Sequence, residues 1–93
     1  MTKAMMHFGS HGDIYFDCLN HAGDYTVCAI ISTLCNVLVA ACIRSKIEPR
    51  EYKEGHVTLD INKAEYPLID VFRSVWDVFL QVAEQYPDCV EIY

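Results

Sequence analysis

The chain has 93 residues, 53% of them hydrophobic, and carries 7 Lys+Arg against 13 Asp+Glu for a formal net charge of −6. The length fits one domain, residues 1–93, and the apolar fraction excludes a disordered chain. With so few basic residues the chain can hardly assemble a phosphate-neutralising face, so no nucleic acid and no anionic membrane surface is expected as a partner.

Thr2 to Phe8 reads as a strand and Gly9-Ser10-His11-Gly12-Asp13 as a turn. Ile14 to Asn20 reads as a second strand, with Ile14, Phe16 and Cys18 facing one way and Tyr15, Asp17 and Leu19 the other. Together they predict a β-hairpin. No secretory signal is expected, because Lys3 is followed by a glycine-containing turn and no long apolar run. A short polar connection, His21 to Thr26, precedes the longest apolar stretch, Val27 to Ile43. That stretch is short for a membrane span and carries Ser32, Thr33 and Asn36. It predicts a buried core helix, a small membrane-inserting helix being the alternative. Asp24 and Thr26 are both able N-caps, so the helix is expected from near Val27 to about Ser45, with Arg44 and Lys46 at the negative pole of its dipole.

Glu48 to Glu54 is charged, and Pro49 limits it to an edge strand or a loop. After Gly55, the residues Val57, Leu59 and Ile61 alternate with His56, Thr58, Asp60 and Asn62, the pattern of a half-buried strand. Pro67 opens a second helix to about Gln85. Its polar stripe contains Asp70, Arg73, Asp77 and Glu84, and its apolar face is broader than one packed layer needs. That width predicts contact with the sheet and also with the other helix or a second subunit. Cys89 to Tyr93 can form a last short strand. The expected fold class is α+β, a two-layer sandwich with two helices on one face of an antiparallel sheet.

Five cysteines, Cys18, Cys28, Cys35, Cys42 and Cys89, are an odd set for a closed disulfide framework. On a helix, a spacing of seven residues separates Cys28, Cys35 and Cys42 by about 10.5 Å each, beyond the roughly 7 Å limit for a disulfide. No cysteine or histidine spacing suits zinc, and no cofactor is expected. Reduced thiols in a cytoplasmic protein are the simplest reading.

The segment His21 to Ser32 carries the chemistry. His21 ends a strand and Cys28 opens a helix, so the short connection keeps them neighbours in space. A thiol near a helix N-terminus lies by the positive pole of the dipole and by unpaired N–H groups, which favour the thiolate. A neighbouring imidazole can hold it as an ion pair. The N–H groups of Cys28 and Ala29 are candidates for an oxyanion hole. From spacing alone, the pair reads either as nucleophile and base or as a buried cysteine beside a strand-ending histidine. Asp24 can orient His21 or cap the helix, and Ser32, one turn past Cys28, can serve the site or bond to its own helix. Cys35 and Cys42 lie deeper on the same side and read as core.

Three blocks resemble a known family: His21-Ala22-Gly23, Val27-Cys28-Ala29-Ile30-Ile31-Ser32, and the ending Gln85-Tyr86-Pro87-Asp88-Cys89-Val90-Glu91-Ile92. They look like those of the ribosomal-processing cysteine proteases, the Prp family, in the same order along nearly the whole chain. The resemblance implies a small homodimeric α+β protease of bacteria. The family removes an N-terminal extension from a large-subunit ribosomal protein, and relatives act on phage capsid or scaffold proteins. It implies His21 as the catalytic histidine, Cys28 as the nucleophile and Ser32 as the helix serine near the site. The chain departs from the family in three ways. Only six residues separate His21 from Cys28, where members have a longer, glycine-containing loop. Tyr25 stands where an acidic residue is common, and Asn20 stands where glycine precedes the His-Ala dipeptide. The short connection supports a rival expectation, a binding or assembly module that keeps the fold without the activity. A thiol-based redox sensor with Cys18 as resolving cysteine is a third.

Overall fold

In a computed structural model describing residues 1–93, the alternating segments form strands and the apolar segments form helices. In chain order these are β1 (Thr2–Phe8), β2 (Ile14–Leu19), α1 (Tyr25–Arg44), β3 (Glu51–Lys53), β4 (His56–Ile61), α2 (Tyr66–Gln85) and β5 (Val90–Ile92). The strands make one sheet in the order β3-β4-β2-β1-β5, and both helices pack on one of its faces. The architecture is α+β, as the sequence pattern predicts.

The register puts the apolar set inward. Cys18 lies opposite Ala4 and Val57, and Phe16 lies opposite Met6 and Leu59. Phe16 meets Phe79 edge-on at 5.5 Å between ring centres, and Trp76 closes the aromatic cluster. The β1–β2 turn demands glycine at Gly12, where φ is +82° and an added Cβ would stand 2.5 Å from the Ala64 carbonyl oxygen. That close approach lets the Ala64 N–H donate to the Gly12 carbonyl at 2.8 Å and docks the turn on the β4–α2 connection.

The sheet is mixed, which corrects the antiparallel expectation. β5 runs parallel to β1, in the register Thr2–Val90 to Ala4–Ile92. The cause is α2, which carries the chain back along the sheet after β4, so β5 sets out from the same end as β4 and β1.

Helix α1 starts at Tyr25, two residues before the expected Val27, because Asp24 is the residue that caps it. Its carboxylate accepts the Val27 N–H at 3.0 Å. The helix is long and apolar enough to cross a membrane by composition, but in this fold it lays Val27, Ile31, Cys35, Leu38, Val39 and Cys42 into the core. Helix α2 begins at Tyr66, with Pro67 in its first turn. Both helices keep apolar residues at the surface, Val37 and Ile43 on α1 and Val78 and Leu80 on α2.

Candidate active site

Strand β2 ends at Leu19, and the φ of +71° at the next residue, Asn20, turns the chain out of the sheet. Asparagine tolerates this left-handed conformation better than other non-glycine residues. Two hydrogen bonds hold the turn. The Asn20 N–H donates to the Gly55 carbonyl at 2.8 Å, and the buried Thr2 hydroxyl donates to the Asn20 carbonyl at 2.9 Å. His21 therefore leaves the sheet in a fixed direction, into an open cleft of about 400 Å³ that is also lined by Cys28 and Ser32.

The thiol of Cys28 is half-buried at the close of the first turn of α1, and its Sγ accepts the backbone N–H of Ala22 at 3.1 Å. Ala22 is buried, so this donor is anchored in the core. A donor at that distance complements negative charge on sulfur. His21 and Cys28 thus share one cleft, but no hydrogen bond joins them. The His21 side chain is 63% exposed, and its Nε2 lies 3.8 Å from Glu54 Oε1.

The expected oxyanion donors are corrected. The Cys28 N–H donates to the Asp24 carbonyl at 2.9 Å, and Ala29 is one residue further into the helix, exposed and outside the cleft lining. The earlier helix start is the reason, since it moves the unpaired donors to Tyr25 and Thr26, which make no hydrogen bond within the chain. Asp24 is spent as the cap and does not reach His21. Ser32 lines the cleft with a hydroxyl that makes no hydrogen bond within the chain, whereas the Thr33 hydroxyl is the one that bonds back, to the Ala29 carbonyl at 2.8 Å.

Sequence reasoning missed the opposite wall of the cleft, which is the β3–β4 hairpin. Tyr52 donates to Asn36 Oδ1 of α1 at 3.1 Å, and Glu54 and Gly55 face His21. The tight turn at Gly55 was the visible signal, but nothing local tied it to His21. Cys18 and Cys35 both line the cleft; the neighbouring Cys18 thiol pushes Cys35 up, and burial adds to the effect. Cys42, deeper in the core, is raised to about 11 by burial alone.

A second polar cluster lies on the sheet face without helices. Asp17 is buried and accepts from Thr58 Oγ1 at 2.7 Å and Tyr93 OH at 2.5 Å, with His56 Nε2 at 3.1 Å. Burial would raise the Asp17 carboxyl, but the bonds from Tyr93, Thr58 and His56 outweigh it and hold the group below its ordinary value. The same bond pushes Tyr93 up to about 12. The alternation of β2 and β4 puts Asp17, His56 and Thr58 on the outward face, but it does not record their convergence with Tyr93.

The two-layer α+β frame, one five-stranded sheet with both helices on a single face, is a fold shared with a solved protease. Specifically, the chain has the fold of the ribosomal processing protease Prp. The crystal structure of the S. aureus protease with a substrate peptide superimposes with a TM-score of 0.78, at 17% identity, covering 100% of this chain and 98% of that one. The same protease with a covalently linked product peptide gives 0.77 at 18% identity, covering 99% and 97%. SMU.848 from Streptococcus mutans gives 0.77 at 24% identity, covering 99% of this chain and 91% of that one. No protein-family model and no curated protein matches the chain.

Proposed function

We propose that the protein is a cysteine endopeptidase of the Prp kind. Cys28 attacks the scissile carbonyl, and His21 accepts the thiol proton and returns it to the leaving amine. The observation that carries this reading is the placement of Cys28 Sγ, held by the Ala22 N–H, in one cleft with His21. The Cys28 and Ala29 N–H groups lie inside the helix ladder, so they take no part in holding the oxyanion.

The substrate is a protein tail, either the N-terminal extension of a large-subunit ribosomal protein or a phage capsid or scaffold protein. The net charge of −6 favours a basic tail. The enzyme works as a homodimer in the reducing cytoplasm. The exposed apolar residues Val37, Ile43, Val78 and Leu80 support a second copy on the helical layer. Incubation of the candidate ribosomal protein with the wild-type chain yields a shortened product by mass, and with Cys28→Ala none. Equal products from both remove the proposal.

The missing His21–Cys28 hydrogen bond and the short connection favour a second reading, a binding or assembly module without proteolysis. Co-purification of an intact capsid or ribosomal protein with the wild-type chain, uncut after long incubation, selects it.

A further inference from the structure

Three features of the cleft bear on how His21 is held. The ring follows directly on Asn20 and is bonded to nothing in its own segment. The one carboxylate within 4 Å of it is Glu54, across the cleft, at 3.8 Å from Nε2. The hairpin that carries Glu54 is fixed to the segment that carries His21, because the Asn20 N–H donates to the Gly55 carbonyl at 2.8 Å. Gly55 itself holds φ at +80°, and a Cβ there would rest 3.7 Å from His21 Nε2, so ring and hairpin tip are already in van der Waals range.

We propose that Glu54 is the positioning residue for His21, supplied from the β3–β4 turn and acting through Nε2. This rests on the reading of Cys28 and His21 as nucleophile and base. An imidazole that serves a thiol offers one nitrogen to sulfur and needs the other held, or the ring turns freely. Nε2 faces Glu54, which leaves Nδ1 for the Cys28 side. The separation of 3.8 Å is too long for a hydrogen bond, but the Glu54 side chain is 89% exposed, so no packing holds it at that distance. A bound peptide lying over the cleft excludes water from the pair and strengthens it. Asp24, the nearer acid in sequence, is unable to take this role because it caps α1.

The test uses iodoacetamide, an uncharged probe that Glu54 cannot steer, with Cys28 labelling followed by peptide mass mapping at mildly acidic pH. His21→Ala is expected to slow Cys28 labelling at least tenfold. Glu54→Gln is expected to slow it about threefold to fivefold at low salt, with the difference shrinking as salt is raised. Glu54→Asp is expected to recover part of the loss. Glu84→Gln, which removes the same charge from a distant turn of α2, is expected to leave the rate unchanged. A merely structural role for Glu54 would not give a salt-dependent loss. If His21→Ala slows labelling while Glu54→Gln does not, the role of Glu54 is overturned and the dyad stands. If His21→Ala leaves the rate unchanged, the dyad itself falls and Glu54 with it.

Discussion

Replacing Asp17 by Ala removes the acceptor on which Thr58, Tyr93 and His56 converge. Thr58 is 5% exposed, so its hydroxyl loses a charged partner, keeps only His56 Nε2 at 2.9 Å and gains no water, a loss of about 2 kcal/mol. Tyr93 is 55% exposed and the His56 side chain 31%, so both recover hydrogen bonds to solvent and add about 0.5 kcal/mol each. The expected destabilisation is about 3 kcal/mol at pH 7, or roughly 12–24 °C in Tm for a domain of this size. Urea unfolding at a series of pH values measures it. Because hydrogen bonding holds the folded carboxyl below its ordinary value, the stabilisation is complete above about pH 4 and is lost as pH falls through the folded value. The gap between wild type and Asp17→Ala therefore narrows in acid. A gap below about 1 kcal/mol at pH 7, or one that stays constant from pH 6 to pH 2, refutes the reasoning.

Asn20→Gly leaves stability unchanged or raises it by up to about 1 kcal/mol in thermal unfolding, since glycine takes the left-handed turn without cost. Asn20→Val lowers it by about 1–3 kcal/mol and slows Cys28 labelling, because a β-branched residue resists that φ and His21 loses its direction. Asp24→Ala costs about 1 kcal/mol in urea unfolding and speeds hydrogen exchange at the Val27 amide; unaltered exchange there means that the carboxylate is not the cap.

The strands and helices were readable because each obeys one period. Phe16 and Cys18 alternate with Asp17, and Asp24 stands directly before the apolar run. The pairing of His21 with Cys28 in one cleft was readable for a related reason, since a short connection leaves them no room to part. The start of α1 is open by two residues in the sequence because both Asp24 and Thr26 can cap, and the fold selects Asp24. That small shift moves Cys28 from the unpaired head of the helix into its hydrogen-bonded ladder. The direction of β5 depends on how many times the chain crosses the sheet, which no local pattern records. Glu54 and Gly55 reach His21 across more than thirty residues of sequence, so their part in the cleft comes from the sheet order.

The sheet finishes on both flanks in strands of only three residues, β3 and β5. Pro49 stands just before one, Glu51 and Lys53 lie within it, and Glu91 interrupts the other. An incoming chain finds a short, charged template at either side and little backbone to copy. Fibril-like growth by strand addition is thereby discouraged, and molecules that do cohere are steered toward their helical surfaces.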